Sequence, residues 1–134
     1  MAANTQDRKN FNRYCGYHQN WEGEPLRDLA ETDSGTLSGE LLRRYWHPVH
    51  IASEIGARPK LIKVLGEELV LFKDQSGAYG LVHKKCPHRR ASLEYGRCEA
   101  HGIRCCYHGW VFDIDGTILE IPGEPDGSPH VQHA

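Results

Sequence analysis

Cys86-Pro87-His88 and, after sixteen intervening residues (89–104), Cys105-Cys106-Tyr107-His108-Gly109-Trp110 are the stretches on which the reading of this chain turns. Each places a cysteine and a histidine at short spacing in a segment containing Gly or Pro, so two thiolates and two imidazoles can converge on one metal centre. Structural zinc pairs like with like, its cysteines two to four apart and its histidines three to five. Here each segment pairs unlike ligands, Cys-x-His and then Cys-x-x-His. Mixed pairing suits a [2Fe–2S] centre in which one iron takes both thiolates and the other both imidazoles, because each loop then bridges the two irons. A structural zinc module for protein interaction is the remote alternative.

Around these ligands the chain reads as short strands. Residues 60–65, 68–73 and 79–84 are apolar runs separated by Gly66-Glu67 and by Asp74-Gln75-Ser76-Gly77, which is the chemistry of an antiparallel meander. After the first ligand loop come a turn near Tyr95-Gly96, a strand over 102–105, the second ligand loop, and a hairpin of 110–113 with 117–120 across Ile114-Asp115-Gly116. Two loops at the tips of neighbouring hairpins can hold one cluster between them. Upstream, Leu37, Leu41, Leu42, Tyr45 and Trp46 recur at three-to-four spacing, so the spacing predicts a helix over 38–46, capped by Thr36 or Ser38 and ended by Pro48. Arg43 and Arg44 fall on its wetter face. The expected organisation is a polar N-terminal segment over 1–35, a cluster domain with its preceding helix over 36–121, and a linker-like tail over 122–134. The fold class is mostly β: small antiparallel sheets with a short N-terminal helix.

Composition narrows the function. The chain has 134 residues, a formal net charge of −2 and a pI near 6.5, so it holds one modest core and lacks the clustered basic face of a nucleic-acid binder. Its longest apolar run, Leu69 to Phe72, is far short of a membrane span. Five cysteines, two of them claimed by the cluster, fit a reducing cytoplasm better than a disulfide framework. Cys15 with His18, and His47 with His50, are candidate ligand pairs read more simply as surface segment and turn. Cys98 reads as a small buried residue and Cys106 as a bystander to Cys105.

At Cys86-Pro-His-Arg89 and Tyr107-His-Gly-Trp110-Val-Phe-Asp113 the chain resembles the Rieske domain of the ring-hydroxylating, non-haem iron oxygenases of the phthalate dioxygenase type. Leu41-Leu-Arg-Arg-Tyr-Trp46 resembles the segment preceding that domain in their large subunits. The resemblance implies the Rieske fold, a [2Fe–2S] cluster on Cys86, His88, Cys105 and His108, and electron transfer rather than a catalytic residue of its own. It implies a reductase or ferredoxin as electron donor. The acceptor it implies is a catalytic non-haem iron domain, across a subunit boundary in a homotrimer, that hydroxylates or demethylates aromatic compounds. Such a domain carries Asp-x-x-His-x4-His; here His83 and His88 are five apart, but Gly80 stands where the Asp belongs, so no turnover is expected from these residues alone. The respiratory type adds a disulfide between positions held here by Ala91 and Tyr107, which excludes that class. A free-standing Rieske ferredoxin remains the alternative, against which the helix before the first strand argues. One departure stands out: Arg90 replaces a residue that is often Gly, so the first loop is expected to make its turn differently.

Overall fold

The computed structural model describes residues 27–125 and 128–129. Cys15 and His18 lie outside them. A single turn, α1 (Arg27–Ala30), and a short helix, α2 (Leu37–Leu42), precede two antiparallel sheets. The first is a three-stranded meander of β1 (Lys60–Val64), β2 (Glu67–Lys73) and β3 (Tyr79–His83), and the second a four-stranded one of β4 (Arg97–Cys98), β5 (Ile103–Arg104), β6 (Val111–Phe112) and β7 (Ile118–Glu120). The meander and the final hairpin match the expected pattern to within a residue or two. β4 was not anticipated from its two-residue length.

In the first sheet Val64 pairs with Glu67, so the turn is Leu65-Gly66 rather than Gly66-Glu67. Both turn residues have positive φ, 48° and 82°, the conformation whose twist matches that of a two-residue hairpin. Phe72 lies opposite Gly80 in the β2–β3 register and is fully buried. A Cβ at Gly80 would come within 2.6 Å of the Phe72 ring, so the glycine leaves the space this ring occupies.

The two sheets share one core. Val70, Phe72 and Val82 from the first pack with Ile103, Phe112 and Ile118 from the second, and Cys86, Leu93, Cys98, Cys105 and Ile121 complete it. Burying each large apolar side chain of this kind contributes about 1.5–3 kcal/mol. Asp74, buried at the β2–β3 turn, latches the sheets together. It accepts from Ser76 Oγ (2.7 Å), Ala78 N (2.9 Å) and, across in the β4–β5 turn, Gly102 N (3.3 Å). Hydrogen bonding, from Ser76 first, holds its carboxyl below the usual range against the opposing effect of burial.

The helix is shorter than its apolar spacing predicts. Thr36 caps it, its Oγ1 accepting from Gly39 N (3.1 Å). Past Leu42 the chain tightens: Arg44 N donates to Leu41 O and Tyr45 N to Leu42 O, while His47 Nε2 also meets Leu42 O at 2.8 Å. That side-chain contact competes for the carbonyl a longer helix would use. Tyr45 and Trp46 therefore lie outside the helix, and Trp46 is 99% exposed. Arg43 corrects its assignment to the wetter face. Its guanidinium donates to Thr32 O, Leu65 O and Glu67 Oε1, tying α2 to the β1–β2 turn. His50 meets Lys60 Nζ at 3.2 Å, so His47 and His50 serve the turn into β1 and not a shared metal. Among the described residues no helix is long and apolar enough to cross a membrane.

Candidate metal centre

The two ligand segments leave the core as near copies of one another. The second is the tip of the β5–β6 hairpin. The first lies between β3 and β4, closed by the isolated pair Lys85 and Ser92, which corresponds to the pair Arg104 and Val111 in the second. In the first loop Cys86 N donates to Ala91 O (2.9 Å) and Arg90 N to Cys86 O (2.9 Å); in the second Cys105 N donates to Trp110 O (2.8 Å) and Gly109 N to Cys105 O (3.2 Å). In each, the fourth residue past the cysteine takes a left-handed conformation: Arg90 at φ 62° and Gly109 at φ 77°. The expectation that Arg90 forces a different turn is thus corrected. Arginine adopts the glycine-type geometry, because the two hydrogen bonds of the loop demand it.

This construction separates thiols from imidazoles. Cys86 and Cys105 are core residues, 2% and 3% exposed, whereas His88 and His108 are exposed. The Cys86 thiol interacts with that of Cys105 and with the backbone N–H groups of His88 and Arg89. Burial is the main reason the Cys86 thiol is pushed up from its ordinary value, with Cys105 adding to the rise and the two backbone donors opposing it. The imidazole rings stand edge to face with centroids 4.4 Å apart. Partial loss of hydration first, then the charges of neighbouring His88 and Arg89, push exposed His108 below its usual pKa, toward the neutral form a metal requires.

Aromatic residues brace the histidines. Trp110, from the second loop, stacks on His88 of the first at 5.0 Å and an interplanar angle of 6°, and its other neighbour is Phe112 at 6.4 Å. Tyr107 lies against its neighbour His108, centroids 3.8 Å apart. The sequence placed Trp110 near the centre without assigning the stack; pairing across the loops is a tertiary relationship that spacing does not encode. Cys98 is buried in the core, its thiol pushed up by burial first and by Asp74, while Cys106 is exposed.

Among the described residues no three His, Cys, Asp or Glu side chains gather as tightly as one metal ion would need. The four candidates stand instead as a sulfur pair inside and a nitrogen pair outside. Two irons held two and two fit that arrangement.

Two loops of this kind on a small β scaffold define an iron–sulfur electron-transfer domain. The model of the Rieske [2Fe-2S] domain family matches residues 45–131, and the chain belongs to that family; its cofactor is a Rieske-type [2Fe–2S] cluster. Over 110 residues it is 49% identical to the phenoxybenzoate dioxygenase subunit alpha of Ectopseudomonas oleovorans, covering 82% of this chain and 27% of that one. With the phthalate 4,5-dioxygenase oxygenase subunit of Pseudomonas putida it shares 41% identity over 103 residues, 75% of this chain and 24% of that one. Among solved structures it is similar to dicamba monooxygenase bound to dicamba, with a TM-score of 0.58, 28% identity, and coverage of 64% of this chain and 27% of the other. Pseudomonas putida CBB5 NdmA gives a TM-score of 0.59 at 33% identity, over 66% and 28% of the two chains. The chain thus spans about a quarter of the length of these relatives.

Proposed function

We propose that Cys86 and Cys105 ligate the inner iron of the cluster and His88 and His108 the outer one, and that the domain passes electrons to the mononuclear iron of an aromatic ring-hydroxylating or demethylating oxygenase. When bound, the cluster supplies one-electron transfer. The observation that carries the ligand assignment is the split of the site by exposure: two buried thiols, Cys86 and Cys105, that interact with one another, and two exposed imidazoles with ring centroids 4.4 Å apart. The protein's work is positional. Cys86 and Cys105 carry the thiolate charge into the core, where the His88 and Arg89 N–H groups offset part of it. His88 and His108 form the exposed edge through which a partner is reached. Trp110 stacks on His88 and covers a face of its ring.

Kinship with oxygenase subunits supports the acceptor. The donor is a reductase or ferredoxin, and the acceptor iron belongs to a catalytic domain, in a neighbouring subunit of a homotrimer. Residues 36–121 form the cluster-bearing unit in this reading, with 1–35 and 122–134 as flanking segments, in a cytoplasmic protein. Purified chain should be red-brown, with two irons and two acid-labile sulfides. After reduction it should reoxidise on mixing with a catalytic iron domain from a related oxygenase, and alone it should hydroxylate nothing. A colourless zinc protein would sink the ligand assignment, and an iron–sulfur protein that no such domain reoxidises would sink the acceptor.

A further inference from the structure

The near-symmetry of the two loops breaks at one side chain. Arg104 immediately precedes Cys105, and its guanidinium folds back under the second loop. Nη1 donates to the carbonyl oxygen of Gly109 (2.8 Å), Nε to Glu99 Oε1 (2.7 Å) and Nη2 to Glu120 Oε2 (2.7 Å). Gly109 is therefore held on both sides, its N–H by the Cys105 carbonyl and its own carbonyl by Arg104. Its neighbour in the chain is His108. Among the described residues no side chain holds the corresponding carbonyl of Arg90 in the first loop, and in that loop the buried Ser92 Oγ has no partner.

The planar guanidinium has its donors in a rigid fork, so three acceptors on separate segments leave it one orientation. Glu99 follows β4 and Glu120 ends β7, so the fork references the loop to both sides of the second sheet. The two carboxyls sit below their usual range, with the Arg104 hydrogen bond the largest cause in each case. We propose that Arg104 is a positioning residue for the cluster, locking the Gly109 peptide and thereby the ring of His108. The second loop is then the rigid jaw and the first the compliant one.

This inference rests on the ligand assignment above, and the test separates the two. Wild-type chain, Arg104→Met, Arg104→Lys and Glu120→Gln are purified with cluster, assayed for iron and sulfide, and studied by pulsed EPR of the reduced state, which reads the nitrogen coupling of each histidine. A wild type without two histidine couplings refutes the ligand assignment itself. With both couplings present, Arg104→Met should shift and broaden one of them while leaving the other in place, and the midpoint potential should move with it. Glu120→Gln keeps an acceptor for Nη2 and changes only charge, so it should leave both couplings as they are. Unchanged couplings in Arg104→Met, with only a lower melting temperature, would overturn the proposal. So would the same coupling change in Glu120→Gln, which would assign the effect to charge. Should Arg104→Met fail to load, Arg104→Lys decides: one ammonium cannot serve all three acceptors, so wild-type couplings there refute the proposal and an altered one supports it.

Discussion

Arg90 and Gly109 occupy the same place in their two loops, each four residues past a cysteine and each left-handed, at φ 62° and 77°. The backbone demands are equal, but only Gly109 meets them without a Cβ penalty. For an L-residue that conformation costs roughly 1–2 kcal/mol. Glycine returns part of this gain as unfolded-state entropy, about 0.4–1 kcal/mol. Arg90→Gly should therefore stabilise the domain by up to ~1 kcal/mol, read as a higher urea midpoint with an unchanged visible spectrum. The converse change, Gly109→Ala, adds the positive-φ cost to a Cβ lying 3.1 Å from Pro122 Cγ, and should destabilise by about 1–2 kcal/mol. A lower midpoint for Arg90→Gly would mean that the arginine side chain contributes more than its backbone loses.

The ligand assignment separates six single variants into two groups. Cys86→Ser, His88→Ala, Cys105→Ser and His108→Ala should each abolish the visible spectrum of the cluster. Cys98→Ser and Cys106→Ser should keep it, because one thiol is buried on β4, outside both ligand loops in sequence, and the other is exposed. Retention of colour in Cys105→Ser together with its loss in Cys106→Ser would reverse the register.

Trp110 of one loop stacks on the histidine of the other. Replacing it with leucine removes the stack on His88 and the neighbouring contact with Phe112, an aromatic loss of about 0.5–1.5 kcal/mol beyond buried area. The cluster should still assemble, since no ligand is lost. Iron release to a strong chelator should be several-fold faster, because the covered face of His88 opens. An unchanged release rate would show that the stack is incidental.

Legibility in the sequence followed the range of the interaction. The meander was readable because β-branched and aliphatic runs of four to six residues are separated by turn chemistry. The ligand pairs were readable because iron–sulfur ligation imposes spacing. The helix was over-extended by three-to-four periodicity: Leu37, Leu41, Tyr45 and Trp46 keep the spacing, yet all four are exposed, so no packing among the described residues extends the helix to meet them. Arg43 and Arg104 were opaque for a common reason. Their acceptors are backbone carbonyls and carboxylates on other segments, such as Leu65 and Glu67 for Arg43, and composition alone reads such arginines as solvated.

Acid should weaken the Arg104 network before neutral pH does. The carboxyls of Glu99 and Glu120 lie below their ordinary value in the folded chain, chiefly through the Arg104 hydrogen bonds. A depressed folded pKa stabilises above the unfolded pKa and loses that contribution as pH falls through the folded one. The window is therefore below about pH 4.5. Between pH 7 and pH 3 the melting temperature of the wild type should fall more than that of Glu120→Gln, the two converging at the acid end. Parallel curves would show that Glu120 does not contribute through its charge.

The midpoint potential tests the surroundings of the cluster as a whole. Rieske centres span about −150 to +300 mV, set within one ligand set by hydrogen bonds to the sulfurs, burial and net charge. Donors at the Cys86 sulfur are backbone N–H groups of His88 and Arg89. Where the high-potential type is expected to offer a serine hydroxyl after His-Gly, this chain has Trp110, and its ring is engaged with His88. Tyr107 lies with its ring on His108. Fewer hydroxyl donors leave the added electron less stabilised, and the cationic charge of exposed Arg89 and Arg90 is largely screened by water. The midpoint should therefore fall in the lower part of the family's range, near or below zero. It should rise as pH falls through the range where the oxidised form gains protons, because the imidazoles hold protons more tightly once the centre is reduced. Protein-film voltammetry from neutral to strongly alkaline pH measures both; a midpoint near the top of the range would mean that donors to the sulfurs beyond these backbone groups set the potential.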